Sequence, residues 1–273
     1  LLAAGVGSRL RPITQDVPKC LTEVNGVTIL EQLIYSLVRQ GFKRLVVVTG
    51  HFESCIRDFL GTHAGDMAIE YVHSPLYATT NNIYSLWLAR REMNDNVLLL
   101  ECDLLFDENL LRDLKLSLCP DVAVVDGFNS SMDGTVILAQ EGVSTSMILK
   151  SQQSTGFNYQ SALKTVNIYA LCRDTMEQKF LPALDNYVTQ GLTNEFYEDV
   201  IAQLIAQGNL QLGVHLIGTR KWTEIDTEDD LRRAERIFPD SLPGRYTGPA
   251  GSGTREATER IAATTATGRF RQT

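Results

Sequence analysis

Leu1-Leu2-Ala3-Ala4-Gly5-Val6-Gly7-Ser8-Arg9-Leu10-Arg11 begins the chain, and Pro12, Thr14, Pro18 and Lys19 follow at close spacing. An apolar stub runs into two glycines, a hydroxyl, two arginines, a stiffened loop and a lysine. Glycine has no Cβ, so backbone at Gly5 and Gly7 can come close to a ligand. Successive backbone N–H groups in such a turn form an anion-binding concavity. Arg9, Arg11 and Lys19 add positive charge to it, and the combination suits a triphosphate. Two other phosphate loops are excluded. The dinucleotide turn G-x-G-x-x-G has Leu10 where its third glycine belongs, and the run G-x-x-x-x-G-K-[ST] occurs nowhere in the chain.

Outward from this loop the sequence alternates strand and helix signals. Leu1 to Ala4 read as the end of a buried strand that starts mid-run, so the chain is expected to lack a few residues before it. Residues 28–40 carry Ile29, Leu33, Ile34, Leu37 and Val38 at helical spacing, and Gly41 ends the helix. Residues 45–48 are a continuous apolar run, as in a parallel strand covered on both faces. Helices are expected over 53–60, 82–91 and 109–118, with Asn81 capping the second. Strands are expected over 68–72, 97–101 and 122–125. This rhythm predicts an α/β fold, a Rossmann-like, mostly parallel central sheet flanked by helices.

The pattern changes at residues 127–164, where polar, Gly- and Ser-rich stretches separate short strands over 135–139 and 147–149. This segment is expected to be a β-rich insertion forming one side of a cleft. Further elements are expected over 166–170, 179–190, 196–206, 210–216 and 229–238. The catalytic domain is placed at 1–238. Residues 239–273 are rich in Gly, Thr, Ala, Ser and Arg and read as a flexible tail or linker.

Composition narrows the function. Of 273 residues, 44% are hydrophobic and 21% charged, ordinary values for a globular protein. The net charge of -8 argues against general nucleic-acid binding. No apolar run approaches the roughly 20 residues that span a bilayer. The five scattered cysteines have no zinc-ligand spacing and are expected to be free thiols in a reducing cytoplasm.

A triphosphate arrives with Mg²⁺, which takes carboxylate oxygens. Glu101-Cys102-Asp103 follows a strand, and ligands of open α/β sheets bind at the carboxyl ends of strands. Glu224-Ile225-Asp226 follows Trp222; on a strand its two carboxylates would share one face. Asp226 is also placed to cap the last helix.

The pattern Gly5-x-Gly7-Ser8-Arg9-Leu10-x-Pro12-x-Thr14 with Pro18-Lys19 resembles the signature of nucleotidyltransferases of the sugar-nucleotide pyrophosphorylase type. Thr80-Asn81-Asn82-Ile83-Tyr84-Ser85, Asp133-Gly134-Thr135-Val136, Lys164-Thr165-Val166-Asn167-Ile168-Tyr169, Phe196-Tyr197-Glu198-Asp199 and Trp222-x-Glu224-Ile225-Asp226 are similar to the branch of cytidylyltransferases that activate phosphocholine or 2-aminoethylphosphonate. The resemblance covers roughly residues 1–238. It implies transfer of CMP from CTP to a small phosphonate or phosphate, with Lys19, Arg9, Asp103 and Asp226 catalytic and Mg²⁺ held by Asp103 and Asp226. The implied nucleotide contacts are Leu2, Ala3, Ala4, Gly5, Gly7, Ser8, Arg9, Thr49, Gly50, Asn81, Asn82, Ser85 and Asp103. The implied acceptor contacts are Lys19, Asp133, Lys164, Tyr197, Glu198, Trp222 and Glu224. Aromatic faces and carboxylates would stabilise a cationic acceptor. Alternatives are a sugar-1-phosphate transferase using UTP or dTTP, and a non-catalytic nucleotide sensor of the same fold. No nucleic-acid or membrane partner is expected, and a homodimer stays open.

Overall fold

A computed structural model of the chain describes residues 1–117, 120–130 and 132–239. The tail expected from residue 240 onward lies outside the described residues, as do Leu118 and Cys119. Among the described residues no helix is long and apolar enough to cross a membrane.

The fold is α/β and Rossmann-like, and strand β1, Leu2–Ala3, is its seam. On one side β1 runs parallel to β2, Arg44–Thr49, which runs parallel to β3, Met67–His73. On the other side Leu2 bridges in parallel to Glu101, and the Cys102 N–H donates to the Leu2 carbonyl at 3.2 Å. That bridge joins β1 to the end of β4, Val97–Leu100. A two-residue strand therefore links two sheets into one layer. Strand β5, Leu104–Phe106, follows β4 directly.

Beyond β4 the sheet is mixed. Strands β6, Val122–Gly127, β7, Val136–Gln140, β8, Val143–Ile148, β9, Leu163–Leu171, and β10, Gly213–Leu216, complete it in the order β7-β8-β10-β6-β9-β4. Strand β9 runs antiparallel to both β6 and β4, and β10 runs parallel to β6. Strands β7 and β8 form a hairpin at the far edge. Strand β11, Trp222–Glu224, pairs antiparallel with β5 outside the main sheet.

Alternation along the strands builds two cores. Val47, Leu100, Val122, Val124 and Ile168 face helices α1, Ile29–Arg39, α2, Glu53–Leu60, and α4, Asn109–Lys115. Their neighbours Val48, Leu99, Ala123, Val125 and Tyr169 face α3, Asn82–Leu88, α5, Leu181–Thr189, and α6, Tyr197–Ala206. Successive strand residues point to opposite faces, so a strand buried on both reads as one apolar run. Each fully buried aliphatic side chain contributes about 1.5–3 kcal/mol relative to exposure. Thr28 caps α1, its hydroxyl accepting from the Glu31 N–H at 3.0 Å.

A third, smaller core serves the site. Leu10, Val24, Ile29, Leu105 and Ile225 pack with Ala234 and Phe238 of helix α7, Glu228–Ile237, and its C-terminal flank. This cluster fastens the N-terminal loop to the last helix. The expectation that Glu224 and Asp226 share a strand face is corrected: β11 stops at Glu224. Asp226 is not the cap of α7 either. Thr227 is, with its hydroxyl accepting from the Asp230 N–H at 3.2 Å and Asp230 Oδ2 accepting from the Thr227 N–H at 2.9 Å. The Asp226 side chain is thereby left to the cleft.

Gly50 ends β2 in a tight junction. A Cβ there would lie 2.7 Å from the Tyr77 Cβ and 2.9 Å from the Ala4 carbonyl oxygen. Gly50→Ala is expected to cost about 1–3 kcal/mol through overpacking, measured as a lower urea midpoint. An unchanged midpoint would show that Tyr77 gives way freely.

Candidate active site

The loop from Gly5 to Arg11 takes its shape from local contacts. Gly7 adopts φ +64, and a Cβ at this position would come within 3.1 Å of the Lys19 Cβ. Only a glycine lets the lysine stem pass so close at that φ. Thr14, fully buried, donates from its hydroxyl to the Gly7 carbonyl at 2.7 Å. Leu10 anchors the loop in the third core. The spacing of Gly7, Leu10, Thr14 and Lys19 is thus a set of mutual contacts.

The loop opens onto a cleft with two lobes. The smaller, of about 400 Å³, is lined by Leu2, Ala4, the backbone run from Gly5 to Arg9, Lys19, Asn81, Asn82 and Ser85. The larger, of about 710 Å³, is lined by Asp126, Asp133, Lys164, Asn167, Glu198, Trp222 and Glu224 among others. Arg9, Asn82, Glu101, Asp103, Phe196 and Asp226 line both and so mark the junction.

Lys19 sits at that junction. Its Nζ donates to Asp103 Oδ2 at 2.6 Å and to Asp226 Oδ1 at 2.5 Å. Arg9 donates to the same Asp226 oxygen at 2.8 Å. Burial disfavours the Lys19 charge, but Asp103 and Asp226 more than offset it and hold the ammonium well above its ordinary range. Asp103 Oδ1 is buried with no hydrogen-bond partner. Among the described residues no cluster of three or more His, Cys, Asp or Glu could hold a metal alone. Mg²⁺, however, binds through one or two carboxylates plus substrate phosphates and water. Two converging aspartates with one orphaned oxygen fit that donor set.

A second group of carboxyls lies behind the junction. Glu101 accepts from the Tyr197 hydroxyl at 3.0 Å and from Asn82 Nδ2 at 3.4 Å. Burial, reinforced by the charges of Asp103, Glu198 and Glu224, raises its carboxyl well above the usual range. Burial pushes Glu198 up to about 7, against the pull of its own backbone N–H and Lys164. Glu198 is 5% exposed, and its Oε2 has no hydrogen-bond partner. Glu224 is raised by burial, with Lys164 acting in the opposite sense. Trp222 Nε1 donates to Asp126 Oδ2 at 2.7 Å.

Several expected contacts fall elsewhere. Ala3 faces the α1 core, because alternation turns it away from Leu2 and Ala4. Thr49 is fully buried, its hydroxyl donating to the Val72 carbonyl at 3.4 Å, and Gly50 is closed off by Tyr77. Tyr197 is fully buried, edge-on to Tyr169 with centroids 5.8 Å apart. Its ring cannot meet an acceptor, and it reaches the site only through Glu101. Asn81, Asn82 and Ser85 line the smaller lobe, but their side chains already bond the chain itself. Asn81 Oδ1 accepts from the Asn82 N–H at 2.8 Å, Asn82 Oδ1 accepts from the Tyr197 N–H at 3.0 Å, and Ser85 shares a hydrogen with Ser74. Asp133 pairs with Lys150 at 2.5 Å, and this contact holds its carboxyl below the usual range. Asn167, Asp126 and Glu101 were not assigned from sequence. The signal for Asn167 is an amide in the middle of an apolar strand.

With this geometry in view, comparison with known proteins identifies the family. Residues 1–149 match the MobA-like NTP transferase domain, and the chain belongs to this family of nucleotidyltransferases. The CMP-5'-(3-aminopropyl)phosphonate synthase of Streptomyces rubellomurinus is 33% identical over 241 residues, 87% of this chain and 38% of that protein. The chain thus spans well under half the length of that relative. The 2-aminoethylphosphonate cytidylyltransferase of Lancefieldella rimae is 25% identical over 85% of this chain and 89% of its own. The solved structure of the CTP:phosphocholine cytidylyltransferase of Streptococcus pneumoniae shares the fold, with a TM-score of 0.72 at 23% identity, covering 87% of this chain and 96% of that one.

The buried carboxyls set a pH dependence. Glu198 goes from an ordinary value of 4.5 to about 7 on folding. A raised carboxyl stabilises the fold fully below the unfolded value and loses that contribution as pH rises through the folded one. The melting temperature of the wild type minus that of Glu198→Gln is therefore expected to fall between about pH 5 and pH 8. A constant difference would contradict the raised value of the buried Glu198 carboxyl.

Proposed function

We propose that this NTP transferase is a cytidylyltransferase that moves CMP from CTP to a small phosphonate or phosphate acceptor, 2-aminoethylphosphonate first and phosphocholine next, releasing pyrophosphate. One observation carries the reading: Lys19, Asp103 and Asp226 meet at the junction of two lobes. The smaller lobe, with its glycine loop, suits the triphosphate, and the larger suits the acceptor. The names of the two relatives above support CMP transfer to aminoalkylphosphonates.

An anionic oxygen of the acceptor attacks the α-phosphorus, and pyrophosphate leaves in line. The attacking oxygen is already ionised, so no side chain is asked to act as base. Catalysis then rests on positioning and on neutralising charge. The backbone N–H groups of the loop cradle the polyphosphate, and Arg9 and Lys19 neutralise charge at the reacting phosphorus. Asp103 and Asp226 would hold Mg²⁺, which when bound supplies charge neutralisation at the phosphates. Glu198 Oε2, buried without a partner, offers an acceptor atom to an ammonium. Removal of Tyr197 from the cleft leaves fewer aromatic faces for a trimethylammonium, which favours a primary amine.

Pyrophosphate release with CTP, UTP and dTTP, each against 2-aminoethylphosphonate, phosphocholine and glucose-1-phosphate, tests this. The highest kcat/KM is expected for CTP with 2-aminoethylphosphonate. Preference for dTTP or UTP with the sugar phosphate would overturn it. Asp103→Ala and Asp226→Ala are each expected to lower turnover about 100-fold or more, the scale of losing preorganised charge stabilisation. Circular dichroism should show the fold retained. Normal turnover in both would refute the assignment.

A further inference from the structure

Asn167 lies in the middle of β9 with φ +58. That conformation is uncommon outside glycine, though asparagine tolerates it best. It coincides with an irregularity in pairing. Strand β9 meets β6 at Thr165↔Val125 and again at Tyr169↔Ala123, with the register shifting between. Such bulges re-aim side chains beside active sites.

The bulge turns the Asn167 amide into a ring of polar contacts. Thr165 Oγ1 donates to Asn167 Oδ1 at 3.0 Å, and Asn167 Nδ2 donates to Glu224 Oε1 at 2.5 Å. The other oxygen of Glu224 lies 3.4 Å from Lys164 Nζ. Lys164 Nζ closes the ring by donating to the Thr165 carbonyl at 2.6 Å. Lys164 and Thr165 are buried, and Lys164, Asn167 and Glu224 all line the larger lobe. Glu224 is held at both oxygens, so its carboxylate keeps one orientation toward the cavity. A backbone outlier retained at such a place points to a role in the site.

We propose that Asn167 is a positioning residue for the acceptor: it fixes the orientation of the Glu224 carboxyl, against which the cationic end of the acceptor docks. The inference rests on the transferase reading above. It differs from a structural tie between β9 and β11 in what it demands of kinetics.

The variant Asn167→Gly separates the two. Glycine adopts positive φ without strain, so the melting temperature should stay within about 3 °C of wild type. Losing a hydrogen bond to a charged group should raise the acceptor KM about tenfold. The KM for CTP and kcat should change by less than about twofold, the split expected when only acceptor binding is lost. Asn167→Asp puts a carboxyl against Glu224 and should raise the acceptor KM further. The measurement uses whichever acceptor the wild type turns over. An active Asn167→Gly enzyme with an unchanged acceptor KM would overturn this inference alone. A wild type that releases pyrophosphate with no nucleotide and acceptor pair would overturn the transferase reading, and this inference with it.

Discussion

The ammonium of Lys19, bonded at once to Asp103 and Asp226, is the contact on which the rest of the site depends. Its two partners lie 84 and 207 residues from Lys19 in sequence, so the contact exists only when the whole sheet has closed. Lys19 and Asp103 are mostly buried, with side chains 11% and 15% exposed. A charge taken out of water needs a partner, and breaking such a pair costs about 3–5 kcal/mol because the other charge is left alone. Here one cation serves two carboxylates, with Arg9 assisting at Asp226. The same geometry holds the N-terminal loop, the end of β4 and the approach to α7 in fixed relation. A positive charge thus stands at the junction of the two lobes.

The fold works to present that point. Strand β1 contributes two residues, yet it seats the glycine loop between β2 and β4. The two large cores clamp the sheet from both faces. The third core carries Leu10 and Ile225, one beside the loop's basic residues and the other between Glu224 and Asp226. Apolar packing thereby fixes where the charges stand. The ring at Asn167 extends the same logic into the larger lobe, with backbone strain in place of packing.

The sequence made the frame legible where periodicity was strong. The apolar runs of β2, β4 and β6 and the helical stripe of α1 each appear where their spacing placed them. The glycine loop was legible because Leu10, Thr14 and Lys19 each make a local contact with Gly7. Asp103 was legible because it follows a buried strand. The failures share a cause. Alternation says that neighbours face opposite ways but not which face holds the ligand, so Ala3 was placed in the cleft. Helical spacing in Tyr197 and its successors did not tell a core ring from a cavity ring. Thr49 and Gly50 stand at a strand end, as ligand contacts do, but Tyr77 covers them. Asn167 stands in a strand motif legible in the sequence, but it was given no role, because a bulge arises from the pairing of β9 with its neighbour, which no local pattern encodes.

The most direct test of the account is a crystal structure of the protein with CTP and Mg²⁺. The expected density has the polyphosphate against the backbone from Gly5 to Arg9, with a divalent ion touching both Asp103 and Asp226 and Lys19 turned to the phosphates. Nucleotide bound elsewhere, with Lys19 still spanning the two aspartates, would contradict it.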